Sequence, residues 1–375
     1  MRIFLHTVEF IVGFAIVVLV LDAAIRTFVL PRPAGVFLSR LLARIMRFIF
    51  DAIARLARTY EGQDRAMALY GPVTLLAFPV TWLIGVLLGF AAMYHATSVV
   101  GWRDVLRLSG SALFTLGFAP PTNGISVVMV FAEAAIGLLL VALLVAYLPT
   151  IYGAFSRREI AVTQLSVRAG SPPTPGELFS RAHRAEFTDH LEVLWQNWEV
   201  WFVELEETHT SLGILPFFRS PNPDRSWLTA SGCVLDAAAF RLSAISGPYS
   251  PTAVLCLRSG FMALRSIADF MQLPYDPDPA PDDPISISRE EFFAVYDQME
   301  AAGVSVIPDR EAAWENYRGW RVNYDAVLIG IAQVIVAPYA PWVSDRSLNV
   351  RRHRPPIFGN RSRAGRHAHD KPPTP

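Results

Sequence analysis

Ser109-Gly-Ser-Ala-Leu-Phe-Thr-Leu-Gly-Phe-Ala119 lies between two long apolar stretches and is itself too short and too polar to cross a bilayer. It holds two glycines, three small hydroxyl residues and no charge. Non-helical backbone at membrane depth survives only where protein buries it or where it lines a water-filled path. Backbone carbonyls aimed into such a path can replace an ion's water shell.

The surrounding chain supports a membrane setting. It has 375 residues, 52% hydrophobic and 18% charged, with a mean hydropathy of +0.33. The apolar residues are concentrated before position 155, so a membrane part and a second, more polar part are expected. Three segments are long enough to span a core of roughly 30 Å: Val8 to Leu30, Leu69 to Tyr94, and Ile125 to Ile151. The first is read as a retained anchor rather than a signal peptide, because a basic stretch follows it and no small-x-small cleavage site does. Asp22 and Arg26 sit one turn apart near its end and can neutralise each other.

Arginines set the expected orientation. Arg32, Arg40, Arg44, Arg47, Arg55, Arg58 and Arg65 lie between the first and second spans, and Arg157 and Arg158 follow the third. The loop between the second and third spans has only Arg103 and Arg107, with Asp104. The positive-inside rule therefore puts the first linker and the C-terminal half in the cytosol, with the N-terminus and the 96–124 loop outside. In the linker, Arg40, Arg44, Arg47, Asp51, Arg55 and Arg58 form one face and Leu38, Leu41, Leu42, Ile45, Ile49, Ile53 and Leu56 another. That is the composition of a basic amphipathic helix, suited to the membrane interface or to packing on the second part.

Trp102 to Phe114 reads as a short helix, and Pro120-Pro121 ends any regular structure beyond it. Thr115-Leu116-Gly117-Phe118, placed between two spans, resembles the filter of the potassium-channel superfamily in its two-helix pore module. The family pattern is span, pore helix, Thr-x-Gly-Tyr/Phe-Gly, span. Glu133 and Gly137, ahead of an aliphatic run in the third span, are similar to residues that inner helices of bacterial members often carry. The resemblance covers roughly residues 69–155. It implies a filter of Thr115, Leu116, Gly117, Phe118 and Ala119, with Glu133 supporting the filter region and Gly137 as a bending point. It also implies a homotetramer around one axis, a permeant monovalent cation (K+), no cofactor, and an inner-membrane location. The family's second filter glycine is Ala119 here, and no acidic residue follows it. Either the outer filter is rebuilt, or the pore is less selective, or it does not conduct.

The expected fold class is all-α: three transmembrane helices and a re-entrant pore loop (101–122), followed by an all-α cytosolic domain. The divisions are 1–30 for the first span, 31–68 for the linker, 69–155 for the pore module, 156–345 for the helical domain and 346–375 for a basic, disordered tail. That tail, with Arg351, Arg352, Arg354, Arg361, Arg363, Arg366 and Lys371, suits the anionic cytoplasmic membrane face. Within the domain, helices are expected over Gly176 to Thr210, Ser226 to Ile245, Pro251 to Met271 and Asp309 to Val336, with Ser288 and Glu291 as a capping box. Trp195, Trp198 and Trp201 read as core or subunit contact, and Cys233 and Cys256 as buried thiols.

His183, Glu186 and His190, at i, i+3 and i+7 of the expected helix, are weak metal-ligand candidates against a solvated charged face. Asp236 with Arg241, Arg258 and Arg265 reads as structural pairing or an anion pocket. There is no phosphate loop, dinucleotide fingerprint, His-Glu-x-x-His or nucleophile elbow, so no enzyme is expected. Net charge is zero, and nothing favours nucleic acid; the partners expected are the bilayer and further copies of the chain. Two other classes remain: a membrane-anchored sensor or scaffold with a non-conducting pore fold, and a membrane-bound metal enzyme.

Overall fold

The computed structural model describes residues 2–28, 37–57, 60–98 and 100–346. Arg58 and the basic tail beyond Arg346 lie outside them. Among the described residues the protein is all-helical, without strands; one isolated bridge joins Ile245 and Val306. Three helices are long and apolar enough to cross a membrane, over Ile3–Phe28, Gly62–Thr97 and Gly124–Ala169. They carry many exposed apolar side chains, such as Phe14, Leu19, Leu76, Phe131 and Leu138. A lipid phase accounts for that surface; water does not. The chain is a membrane-associated protein. It divides into two compact units, 1–51 with 69–153, and 52–68 with 154–375.

The first unit is built from α1 (Arg2–Phe28), α2 (Phe37–Leu56), α3 (Tyr60–Thr97), α4 (Trp102–Leu113) and α5 (Gly124–Ala169), where α2, α3 and α5 each extend into the second unit. Helix α3 starts at Tyr60 rather than Leu69, and α5 runs past Ile151 to Ala169. The sequence reading stopped at the apolar boundary. The polar flanks lack strong breakers, though, and each added helical residue gains a hydrogen bond without a new nucleation cost. Helix α2 is amphipathic, as its sequence predicts: Leu41, Ile45, Phe48, Ile49, Ile53 and Leu56 are exposed, and Arg47 Nε donates to Asp51 at 2.9 Å. The expected pair on α1 is present, with Arg26 Nε 2.6 Å from Asp22.

Glycines fix where α1 and α3 cross. A Cβ on Gly13 would fall 2.5 Å from the Gly89 carbonyl oxygen, and one on Gly89 would fall 2.8 Å from that of Gly13. Gly85 meets Val20 in the same way, at 2.7 Å. Gly85-Val-Leu-Leu-Gly89 is thus a small-xxx-small face that lets two backbones approach, the usual device where lipid supplies no hydrophobic drive between helices. At the start of α5, Asn123 Oδ1 accepts from the Ser126 N–H (2.8 Å) and Ser126 Oγ accepts from the Asn123 N–H (3.0 Å), a reciprocal cap.

The second unit contains α6 (Pro175–Arg184), α7 (Leu191–Ser211), α8 (Trp227–Ser243), α9 (Pro251–Met271), α10 (Arg289–Ala301), α11 (Arg310–Arg321) and α12 (Asp325–Ile335). The expected capping box of Ser288 and Glu291 is present. Trp195, Trp198 and Trp201 are buried core residues, and Cys233 and Cys256 are buried and free.

Two expected helices are each broken in two. The Gly176 to Thr210 segment ends a helix at Arg184, where Glu186 takes a left-handed φ of 54° and the Phe187 N–H reaches back to the Ala182 carbonyl. Glutamate stands where glycine usually closes such a cap, so the sequence carried no stop signal. The Asp309 to Val336 segment breaks after Arg321, where the Asn323 side chain donates to the Gly319 and Trp320 carbonyls and satisfies the end of α11.

The reading of Asp236 is also corrected. Its partner is Arg321, 2.5 Å away, rather than Arg241, Arg258 or Arg265. Tyr324 and Tyr317 donate to the same carboxylate at 2.8 and 3.1 Å. Arg241 instead donates to the Pro248 carbonyl, and Arg265 to that of Asn323.

His209 on α7 is fully buried, with the Arg158 guanidinium donating to its Nε2 at 3.3 Å. Burial, and then the Arg158 charge, hold its pKa well below the usual histidine value of 6.5. A base depressed on folding takes its proton only in the unfolded chain. This group's contribution to stability is therefore constant above about pH 6.5 and falls below it, by up to ~1.4 kcal/mol per pH unit. Denaturant unfolding of the whole protein, followed by tryptophan fluorescence between pH 5 and 7.5, should show that slope. His209→Gln should flatten it.

Candidate functional site

The 109–119 stretch forms the end of α4 and the turn after it. Helix α4 has 12 residues, about 18 Å of length, and buries Val105, Leu108, Ser109, Ser111, Ala112 and Leu113. Its position along its neighbours follows from two contacts. Ser109 Oγ lies 2.9 Å from the Leu87 carbonyl of α3. The Leu113 carbonyl lies against Gly137 of α5, so closely that a Cβ there would collide with backbone. Leu87 is ten residues from the end of α3 and Gly137 thirteen from the start of α5, or about 15 and 20 Å along those helices. The C-terminal end of α4 therefore sits well within the length of both apolar helices.

Glu133, one turn before Gly137, joins the three helices. It is 0% exposed. Tyr94 of α3 donates to its Oε2 at 3.0 Å, and Ser109 of α4 to its Oε1 at 2.5 Å. An ionisable residue inside an apolar helix, held by hydroxyls from two neighbours, marks a functional region by default. Glu133→Ala takes the acceptor from the Tyr94 hydroxyl, at about 1–3 kcal/mol for a buried group left unpaired, while Ser109 keeps the Leu87 carbonyl. Glu133→Gln keeps one acceptor and places its NH2 beside the other hydroxyl, which can accept, and should lower the thermal midpoint in detergent far less.

The turn after α4 is anchored by Ser111. Its carbonyl accepts the N–H groups of Leu116 (2.8 Å) and Gly117 (3.4 Å), and its hydroxyl accepts that of Ala119 (3.1 Å). Thr115 takes a left-handed φ of 56°, and Gly117 one of 70°. Glycine adopts that geometry freely; for a β-branched threonine it costs on the order of 1–3 kcal/mol and persists only when neighbours impose it. Residues 114–118 are all exposed in the single chain, with Phe114, Leu116 and Phe118 each more than half exposed. Thr115, Leu116, Gly117, Phe118 and Ala119 thus form one projecting turn, behind which Glu133 and Gly137 fix α4. Ser109, Ser111 and Tyr94 are the site residues that sequence reading missed; the only signal for them was the density of hydroxyls around the filter-like tetrapeptide.

The weak metal candidates are separated by the break after α6. His183 lies in that helix, Glu186 beyond its end and His190 in a short 3-10 turn, so they share no continuous helix face. Among the described residues, the group with metal-ligand spacing is another one, His6, Glu9 and His95.

No family model, no curated protein and no solved structure matches the chain.

Proposed function

We propose that this protein is a cation channel, in which four copies surround one axis and the turn at Thr115–Ala119 is the filter. The observation that carries this reading is the placement of α4. A short helix reaches about 15–20 Å down the two long apolar helices beside it and ends in a strained, exposed turn. Non-helical backbone at that depth cannot face lipid, and the chain's own helices leave the turn exposed. Three further copies would supply it, and would set the turn's backbone around a water-filled path. Gly117 supplies the backbone freedom, Glu133 braces α4, and Gly137 receives its end. In this reading the 101–122 segment is a re-entrant pore loop entering from outside. The helical second unit lies in the cytosol and serves assembly or regulation, and the permeant ion is monovalent, K+ by resemblance. No enzyme activity and no cofactor are part of the proposal.

Native mass measurement of the full chain in lipid nanodiscs tests the assembly. A tetramer is expected; a monomer or dimer contradicts the pore, because fewer copies cannot close a ring of carbonyls.

One observation favours a second reading. Ala119 occupies the position of the family's second filter glycine, and its N–H is held by Ser111. A turn fixed in that way suits a membrane-anchored scaffold that retains the pore fold without conducting.

A further inference from the structure

We infer that His6, Glu9 and His95 form a site for one divalent transition-metal ion, stapling the N-terminal end of α1 to the C-terminal end of α3. His6 and Glu9 are one turn apart on α1, and His95 comes from α3. The two imidazoles turn their Nδ1 atoms to the same carboxylate: His95 Nδ1 is 2.9 Å from Glu9 Oε1, and His6 Nδ1 is 3.7 Å from Oε2. All three ligand atoms lie within 4.8 Å of one another. A tetrahedral site with bonds of about 2.0–2.1 Å sets its ligand atoms about 3.3 Å apart, so small side-chain rotations complete it. Two neutral imidazoles and one carboxylate suit zinc, cobalt or nickel, and suit magnesium or calcium poorly.

The setting is prepared for such an ion. The side chains are between about one fifth and one half exposed, so the ion has an entry path and room for a water as fourth ligand. The His95 ring is stacked on Trp102, the first residue of α4, with ring centroids 4.5 Å apart and planes 17° from parallel. That contact orients the ligand from outside the coordination shell, and it gives a bound ion a mechanical path to α4. Below this end, Gly13, Gly85 and Gly89 hold the two helices in close contact, so the ligands are presented by a fixed pair. The site stands whether or not the turn after α4 conducts.

The test is a Co2+ titration of the full chain, purified without a histidine tag and followed by visible absorption. One Co2+ per chain is expected, displaced by Zn2+ and untouched by millimolar Mg2+. Loss even of an outer-shell partner weakens a metal site 10–100-fold, so His6→Ala and His95→Ala should each cost more than about 100-fold in affinity. His183→Ala with His190→Ala, and His367→Ala with His369→Ala in the tail, should leave binding unchanged. Absence of a saturable, stoichiometric Co2+ spectrum from the wild-type chain overturns the site and leaves Glu9–His95 a plain hydrogen bond. So does an unchanged spectrum in both His6→Ala and His95→Ala.

Discussion

Arg321→Met should destabilise the second unit by about 3–5 kcal/mol, the usual cost of removing one partner from a buried ion pair. Arg321 is fully buried. It donates to Asp236 of α8 at 2.5 Å, to Asp325 of α12 at 2.7 Å, and to the Trp342 carbonyl at 2.7 Å. Asp325 in turn accepts from the Ser286 backbone and hydroxyl, at 2.8 and 2.7 Å. One guanidinium therefore joins two helices, the connection before α10 and the segment after α12. Burial alone would lower the Arg321 pKa, but the Asp236 and Asp325 carboxylates outweigh it and hold the group well above its ordinary range. Methionine fills similar volume and leaves two buried carboxylates without their cation. Denaturant unfolding of the whole protein reads the effect, since seven of the nine tryptophans lie beyond residue 190. Replacing Arg321, Asp236 and Asp325 together with apolar residues should cost less than Arg321→Met alone, because no charge is then left unpaired. Equal losses would show that the site is held by packing and not by the ion pairs.

Gly137→Val is expected to lower cation flux by more than about tenfold while leaving the second unit's unfolding transition in place. The first added carbon already falls on the Leu113 carbonyl, which is backbone and has no rotamer to yield. The end of α4 must then move away from α5, and the turn at Thr115–Ala119 moves with it. Overpacking of this kind typically costs ~1–3 kcal/mol in the structure itself. Gly137→Ala meets the same carbonyl with less bulk and should fall between wild type and valine. Flux unchanged in the valine variant would mean that the α4 seat does not set the geometry of the turn.

The apolar runs around residues 8–30, 69–94 and 125–151 were legible because lipid demands continuous apolar length, which a sequence shows directly. Helix ends were less so. Where Ser226, Ser250 and Ser288 cap α8, α9 and α10, the sequence marks the start. Where Glu186 adopts a left-handed turn, no residue type marks the stop; Asn323 ends α11 by folding back on that helix's own carbonyls, a local signal that the sequence reading passed over. The same limit holds at the candidate site. Thr115, Gly117, Glu133 and Gly137 could be singled out one at a time. The contacts of Ser109 and Tyr94 with Glu133, 24 and 39 residues away, could not. The His6–Glu9–His95 group spans 86 residues between two of its ligands and was invisible for that reason. Asp236 shows the hazard of nearness: the arginines close in sequence were chosen, and its partner lies 85 residues on.

Potassium flux from liposomes containing the purified full-length protein bears most directly on whether the turn at Thr115–Ala119 is a filter. Wild-type protein should release a K+ gradient, and Gly117→Asp, which puts a charged side chain at a backbone φ of 70°, should reduce that release more than about tenfold. No flux from the wild-type protein, or flux that Gly117→Asp leaves unchanged, would contradict the channel.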